Sequence, residues 1–340
     1  MSELPAPERF ESSSGATIFR LSCMAFPNFV AHAYLVLDAG PPTLVDCGSG
    51  LDRSSEQLTT ALDSLQSKFG QSISLDDIPR IVITHGHIDH FGGVAHFHKA
   101  TGAEIGIHRL DRGVLTHYRR RVTVATQALR FFLRQAGVPD QLNAGLMDWY
   151  GFSKKQVVDV PVARTFGDGD TWDDLQFIHT PGHCPGQVCL LIGDVMLSAD
   201  HILERITPHQ SPESIMPYTG LGHYLESLEK VAAVPGIRLA LGGHEGPIDD
   251  VYQRIEEIRA DHFKKLDRVR DAVTAGDAPS TIHEITQQMY PTVEGFHVLL
   301  ALEEVGAHVE YLYERDELVV ENLDELERED NPPLRYRIGS

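Results

Sequence analysis

Three histidines and one aspartate fall within six positions of this chain, directly after a short apolar run. The segment is Thr84-His85-Gly86-His87-Ile88-Asp89-His90, and the run before it is Ile81-Val82-Ile83. Imidazole nitrogen and carboxylate oxygen are the ligands that borderline divalent metals prefer. An apolar strand leading into a loop gives such ligands a rigid base, and four side chains at alternating and adjacent positions serve two ions better than one. The segment predicts a metal site at a strand end.

Three further candidate ligands follow later in the chain, each at the end of an apolar stretch. His183 closes Thr180-Pro181-Gly182-His183, Asp200 follows Leu197-Ser198-Ala199, and His244 follows Gly242-Gly243. Ligands at strand ends converge on one edge of a packed sheet, so distant residues can build one site. The alternative is a histidine-rich surface loop, since 18 histidines allow some clustering by chance. The ordered set of further ligands favours the metal site.

The complete set resembles the metallo-β-lactamase superfamily, over roughly residues 15 to 250. The resemblance implies an α/β fold, a four-layer αββα sandwich, with a binuclear metal site. It assigns the side chains of His85, His87 and His183 to the first metal, and those of Asp89, His90 and His244 to the second. Asp200 would bridge the two ions, and Asp89 and Asp200 are the residues expected to be catalytic.

The resemblance also implies the chemistry of the site. Two adjacent ions can share a hydroxide and lower the pKa of water toward about 7. His87 stands where redox di-iron relatives usually carry Glu, so two Zn²⁺ per chain and hydrolysis are expected, with iron and manganese left open. Asp46, which ends the run Thr43-Leu44-Val45, matches an aspartate that supports a ligand through a hydrogen bond. The alternative for Asp46 is an ordinary turn before Gly48 and Gly50.

Charge and composition limit the classes of partner that the chain is expected to bind. The net charge of −20 argues against affinity for duplex DNA or for anionic membranes. No apolar run is long enough to span a bilayer, and the segment Met1-Ser2-Glu3-Leu4-Pro5 does not resemble a signal peptide, so a cytoplasmic location is expected. Four cysteines are too few for a disulfide framework. Cys184, beside His183, is interpreted as a small buried residue, with a ligand or nucleophile role as the alternative.

A helical insertion is predicted over about 109–155, from Arg109 to Lys155. It contains seven arginines and several aromatic side chains, namely Tyr118, Phe131, Phe132, Trp149 and Tyr150. In relatives this region often covers the mouth of the active site. One interpretation is a solvated helix face; the other is recognition of an anionic substrate by guanidinium groups. A proline-rich loop over residues 206–212 and the stretch after it add four candidate donors to an oxyanion, each also explicable as structural: His209, Tyr218, His223 and Tyr224.

The predicted domains are a catalytic domain over residues 1–250, a winged-helix-like C-terminal domain over 251–321 and a mobile tail over 322–340. Helices are predicted over 251–273, 281–289 and 296–309, followed by a hairpin from Tyr311 to Val320. The last of these helices carries Glu303, Glu304 and Glu310, which is opposite to the charge of a DNA-reading helix. Packing on the catalytic domain, or formation of a homodimer, is the preferred interpretation.

Two functions from different classes fit these observations. The first is hydrolysis of a small-molecule thioester, ester or lactone, including one on an anionic acyl carrier such as coenzyme A. The second is cleavage of single-stranded RNA or another phosphodiester, favoured by the arginine cluster. A binding protein with a decayed site is disfavoured by the intact set of seven ligands. Hydrolysis of β-lactams is also disfavoured, since those enzymes lack an equivalent of Asp200.

Overall fold

The computed structural model describes residues 4–51, 53–152, 157–276 and 278–339, without the side chains of 149, 151 and 152. The chain divides into two units, each assembled from separate stretches. The first contains the described residues of Met1–Tyr118, Val157–Pro208 and Ser227–Ile255. The second contains those of Arg119–Gln156, His209–Glu226 and Glu256–Ser340.

A seven-stranded sheet forms one layer of the first unit. Its strands run in chain order from edge to edge: β1 (Glu8–Glu11), β2 (Thr17–Phe26), β3 (Phe29–Leu37), β4 (Thr43–Val45), β5 (Arg80–Ile83), β6 (Glu104–His108) and β7 (Arg164–Phe166). The first four strands pair antiparallel, whereas β4 to β7 are parallel. The carboxyl ends of β4 and β5 therefore lie at the same edge of the sheet.

A six-stranded sheet forms a second layer. It contains β8 (Thr171–Trp172), β9 (Leu175–His179), β10 (Val188–Ile192), β11 (Val195–Ala199), β12 (Leu239–Gly242) and β13 (Pro247–Ile248), in the spatial order β13-β12-β11-β10-β9-β8. Only the β11 and β12 pair is parallel. The residues that follow β11 and β12 therefore lie at the same edge of this sheet.

The facing sides of the two sheets form one buried apolar core. Val36 and Phe166 from the first sheet share this core with Phe177, Leu190 and Leu241 from the second. The ring centroids of Phe166 and Phe177 stack 3.8 Å apart. Along these strands apolar residues alternate with polar ones or form continuous runs, because each sheet buries at least one face, as in a sandwich.

Short helices follow several strands of the first sheet. They are α1 (Ser54–Asp63), α2 (Leu65–Phe69), a 3₁₀ helix (Leu75–Asp77), α3 (Ile88–Phe91), α4 (Val94–Thr101) and α5 (Arg112–Thr116). Helix α1 buries Leu58 and Leu62 and packs on β2. Helix α3 begins inside the histidine-rich segment, so Asp89 and His90 lie on its first turn.

The second unit is mainly helical. It contains most of α6 (Tyr118–Gln135), α7 (Asp140–Phe152), part of α8 (Leu221–Ala232) and most of α9 (Val251–Thr274), followed by α10 (Ile282–Met289), α11 (His297–Tyr313), β14 (Leu318–Val320), α12 (Leu323–Arg328) and β15 (Tyr336–Ile338). Thr281 and Glu284 form a capping box that begins α10. The ring of Phe132 in α6 lies where a side chain on Gly306 of α11 would be.

The C-terminal region differs from its predicted hairpin. Helix α11 continues through Tyr313, because Leu312 extends the buried stripe of Leu302, Val305 and Val309. Strand β14 pairs instead with β15, from the stretch predicted as a tail. The winged-helix-like domain remains a prediction. Lys155, the predicted end of the insertion, lies outside the described residues. Within the described stretches, no helix combines the length and apolar character needed to cross a membrane.

Candidate metal centre

Five strand ends of the first unit carry the site. Asp46 follows β4 and the histidine-rich segment follows the parallel strand β5, while Asp200 and His244 follow the parallel strands β11 and β12. His183 comes from the loop after β9. The seven side chains selected from the sequence therefore meet at one place, and four of them are almost completely buried: His85, His90, His244 and Asp200.

The first group of potential ligands is His85, His87 and His183. Nε2 of His85 lies 3.2 Å from Nδ1 of His87. The ring centroids of His87 and His183 are 4.5 Å apart and nearly perpendicular. One nitrogen from each ring lies within 4.8 Å of the others, which is a spacing that a single ion can span.

The second group is Asp89, His90 and His244, whose ligand atoms also lie within 4.8 Å of one another. Nε2 of His244 lies 3.4 Å from Oδ2 of Asp89, and Nε2 of His90 lies 3.9 Å from the same oxygen. Asp89 and His90 share the first turn of α3, so their relative position is fixed by the helix.

Asp200 lies between the two groups. Its Oδ2 is 3.5 Å from Nε2 of His183 and 3.3 Å from Nε2 of His244, and its Oδ1 is 3.4 Å from Nε2 of His90. One carboxylate thus faces ligands of both sets. This placement is what a bridging role requires.

The polar atoms of the centre fit a cation. Nε2 of His90, Nε2 of His244 and Oδ1 of Asp200 are buried and have no hydrogen-bond partner among the described residues. Buried polar atoms normally have partners, so this group needs an explanation, and a bound cation supplies one. Gly243 keeps the space open, because a Cβ there would lie 2.4 Å from Oδ1 of Asp200 and 2.5 Å from Cε1 of His90.

Asp46 orients two of the histidines. Its Oδ2 accepts a hydrogen bond of 2.8 Å from Nδ1 of His90 and another of 2.8 Å from the Thr84 hydroxyl. The Thr84 oxygen in turn accepts from Nδ1 of His85, at 3.1 Å. Both rings therefore turn Nε2 toward the centre. The hydrogen bond expected between Asp46 and a ligand is present.

The histidines of the site differ in the direction of their pKa shifts. Burial, with the neighbouring imidazoles of His90 and His87, holds the pKa of His85 well below its ordinary value. Burial opposes protonation of His244 too, but Asp200 and Asp89 outweigh it and raise the pKa of His244 to about 10. Burial would raise the pKa of Asp200, yet His244 and His90 hold it well below its ordinary value. The Asp200 carboxylate therefore stays ionised, and a nearby positive charge would stabilise it.

Three non-glycine residues in or beside the site have left-handed backbone conformations. Asp46, Ala199 and Glu245 adopt φ values of 63°, 45° and 63°, in the left-handed region that non-glycine residues seldom occupy. Ala199 precedes Asp200 and Glu245 follows His244. Such strain persists where the surrounding structure fixes a functional geometry.

Asp111 is a residue of this region whose role the sequence did not reveal. It is fully buried, and its Oδ2 accepts hydrogen bonds from the Gly86 backbone N–H, at 2.9 Å, and from the Cys184 thiol, at 3.2 Å. Burial and the charge of Asp111 raise the pKa of Cys184 well above its ordinary value, so Cys184 is a thiol donor. The sequence gives one indication of this role: Gly86, which donates to Asp111, lies between the candidate ligands His85 and His87.

The four other candidate donors lie in the second unit. His209 lies against Glu303 and Glu304, and His223 against Glu213. Tyr224 is buried with its ring 5.3 Å from that of His262, and Tyr218 is 47% exposed. Their role as donors to a substrate remains a prediction.

Comparison with known families assigns the class. The family model of the metallo-beta-lactamase superfamily matches residues 27–275, which is more than half of the 340 residues. The chain belongs to this superfamily, as its sequence predicted.

Individual relatives agree with this class. The chain is 25% identical over 287 residues to "Probable metallo-hydrolase YqjP" of Bacillus subtilis (strain 168), a match that covers 79% of this chain and 84% of that protein. It resembles a metallo-beta-lactamase family protein of Thermus thermophilus, with a TM-score of 0.73, 25% identity and coverage of 94% and 98%. A beta-lactamase domain protein of Burkholderia ambifaria gives a TM-score of 0.74 at 24% identity, covering 98% and 94%. These likenesses confirm the predicted fold.

Proposed function

We propose that this protein is a metal-dependent hydrolase that holds two divalent ions, with zinc as the preferred metal. The observation that carries the proposal is the convergence of seven ligand side chains from separate strand ends, with buried nitrogens of His90 and His244 that lack hydrogen-bond partners among the described residues. The name of the Bacillus subtilis relative, a probable metallo-hydrolase, supports the same class.

His85, His87 and His183 would hold one ion, and Asp89, His90 and His244 the other. Asp200 would bridge them, since it faces both groups. An all-nitrogen group beside a mixed nitrogen and oxygen group suits zinc, for which imidazole and carboxylate are ordinary ligands.

Two such ions would supply activated water and neutralise the negative charge that develops during hydrolysis. The chain's own residues prepare the site for that chemistry. Asp46 fixes the tautomer of His90 by accepting a hydrogen bond from its Nδ1–H, so Nε2 presents a lone pair. Burial would raise the pKa of Asp89, but His90 and His244 lower it to about 2, so this carboxylate is ionised at neutral pH.

For the substrate we propose a small thioester, ester or lactone that carries an anionic group. Helix α6 has four exposed arginines, Arg119, Arg120, Arg130 and Arg134, in a chain of net charge −20. None of the ion pairs found among the described residues involves these four. Guanidinium groups without acidic partners are suited to phosphate or carboxylate recognition.

The direct test is a hydrolysis screen of the zinc-loaded protein. The panel contains acyl-coenzyme A, a glutathione thioester, a lactone, a neutral ester, a phosphodiester and short single-stranded RNA. We expect turnover of a carbonyl substrate, fastest for an anionic thioester. Turnover of RNA alone would replace this proposal with the phosphodiesterase function.

A charge variant tests the role of the arginines. Arg119→Ala combined with Arg120→Ala should raise KM for the anionic substrate several-fold and weaken its salt dependence, while a neutral ester is hydrolysed as before. The matched control is Arg328→Ala with Arg337→Ala, which removes the same charge from arginines that pair with Asp324 and Glu321. Equal effects of the two double variants would show that α6 acts only through net charge.

A further inference from the structure

Asp111 links two loops that carry the first ligand group. It lies at the start of α5, and the same oxygen, Oδ2, accepts from Gly86 N–H and from the Cys184 thiol. We propose that Asp111 is the positioning residue that sets the affinity of the His85, His87 and His183 group for its ion. This inference rests on the metal assignment proposed above.

The two donors to Asp111 are placed so that they control the ligands. Gly86 lies between His85 and His87, and Cys184 directly follows His183. The distance between these two loops determines whether the three ring nitrogens remain within reach of one ion. A single carboxylate oxygen that binds both loops fixes that distance.

Close packing leaves Asp111 little freedom. A Cβ on Gly186 would lie 2.5 Å from Cγ of Asp111, and one on Gly86 would lie 3.2 Å from the same atom. The Asp111 main chain is also anchored, since its N–H donates to the His108 carbonyl at 3.0 Å and its carbonyl accepts from Val114 at 2.9 Å. The carboxylate is therefore held rigidly behind the two loops.

The position of Asp111 differs from that of Asp46. Asp46 accepts directly from the His90 ring and reaches the His85 ring through Thr84. The Asp111 bonds to Gly86 and Cys184 act on the chain that carries the ligands. Asp111 also adds a buried negative charge near a group that consists of imidazoles apart from the shared Asp200, and this charge favours a divalent cation there.

The test measures the dissociation constants of both ions by titration against a chromophoric chelator, together with ion counts. In Asp111→Asn, which keeps an acceptor and loses the charge, we expect one ion to bind about tenfold more weakly and the other unchanged. Cys184→Ala should weaken the same ion, whereas Cys184→Ser, which keeps a donor, should affect it less. Asp159→Asn is the matched control, because Asp159 also accepts a backbone N–H, from Tyr118.

A double variant identifies which ion responds. His183→Ala should remove the first ion, so adding Asp111→Asn should not weaken the remaining one further. Thermal unfolding of the metal-free proteins shows whether each variant folds. If Asp111→Asn does not fold, the two Cys184 variants test the same link between the loops. A purely structural role would lower the unfolding temperature or weaken both ions equally.

Two failures are distinguishable. If the parent protein binds fewer than two ions, the metal assignment itself is wrong. If the parent binds two and Asp111→Asn leaves both affinities unchanged, or changes both alike, the metal assignment stands and Asp111 is not the positioning residue.

Discussion

Two buried clusters of histidine and carboxylate occur among the described residues, one in each unit. The first is the candidate metal centre. The second, here called the C-terminal cluster, consists of His262 on α9 with Glu304 and His308 on α11. In both, one ligand atom from each of three side chains lies within 4.8 Å of the others. By residue type and spacing alone, the two would be equivalent candidates for a metal.

The hydrogen bonds separate them. In the C-terminal cluster, Nδ1 of His308 donates to the Glu304 carbonyl at 2.6 Å, so its Nε2 accepts from Nδ1 of His262 at 3.1 Å. Glu304 already has cations: Lys265 lies 2.9 Å from Oε1 and His209 lies 3.4 Å from Oε2. In the C-terminal cluster Nδ1 of His262 and Nε2 of His308 are bonded to each other, and one ring nitrogen, Nε2 of His262, is buried without a hydrogen-bond partner among the described residues. In the candidate metal centre, Nε2 of His90, Nε2 of His244 and Oδ1 of Asp200 all lack such a partner.

The comparison shows that ligand identity is not sufficient for a metal site. A site needs lone pairs that the protein leaves unused and negative charge that the protein does not neutralise. In the candidate metal centre the ligands follow strand ends, and hydrogen bonds to Asp46 and Asp111 hold them or their loops in place. The C-terminal cluster joins two helices and supplies its own cations, Lys265 and His209.

The largest effect expected is from Asp200→Ala. Because Asp200 faces both ligand groups, its loss should reduce turnover more than about 100-fold, beyond the usual range for residues that only support ligands. Glu304→Gln in the C-terminal cluster should leave turnover per folded molecule near that of the parent. Steady-state kinetics with circular dichroism would check both, and an Asp200→Ala variant within a few-fold of the parent would show that another group bridges.

Ion counting tests the comparison directly. Protein purified without chelator should contain close to two ions per chain, and His262→Asn should still contain two, because the C-terminal cluster holds none. Removal of the ions should lower the free energy of unfolding by about 4 kcal/mol for each ion whose free concentration is about 1,000 times its dissociation constant. Three ions in the parent, falling to two in His262→Asn, would make the clusters equivalent after all.

Removing the charge of Lys265 tests whether the C-terminal cluster is stabilised by its own cation. Lys265→Met leaves Glu304 without its 2.9 Å partner and should reduce the free energy of unfolding by about 3 kcal/mol, as for other broken buried pairs. Metal content and turnover should be unchanged. Urea denaturation measures this, with the exposed Lys264→Met as the matched control. An added ion in Lys265→Met would show that lysine merely excludes a metal.

The convergence of the candidate ligands was predictable because they lie at or shortly after the ends of apolar runs that the sequence displays. Strand patterns located His85, His183, Asp200 and His244. Parallel pairing places the end of β5 beside that of β4 and the end of β12 beside that of β11, whereas His183 follows β9, which pairs antiparallel with β10. Asp46 was found in the same way, since it also ends a strand.

Asp111 and the C-terminal cluster could not be predicted from local patterns. The partners of Asp111 lie 25 and 73 positions away, at Gly86 and Cys184. Glu304 was part of an acidic helix pattern, which normally indicates a solvated face, yet it is only 8% exposed. Its backbone donor Gln210 is 94 positions distant. Such pairings depend on how separate segments of the second unit assemble.

The smallest effect expected is the pH dependence of the C-terminal cluster. Burial lowers the pKa of His209, but Glu303 and Glu304 outweigh it and raise the pKa to about 9. Since the folded pKa exceeds the ordinary value, the stabilisation should be complete below about pH 6.5 and lost as the pH rises through about 9. The side chain is 28% exposed, so we expect only about 1 kcal/mol. Urea denaturation of the parent and of His209→Gln should differ by this amount at pH 6 and converge by about pH 10. The exposed His297→Gln serves as the control, and a difference that persists unchanged at high pH would mean that His209 acts through packing and not through its charge.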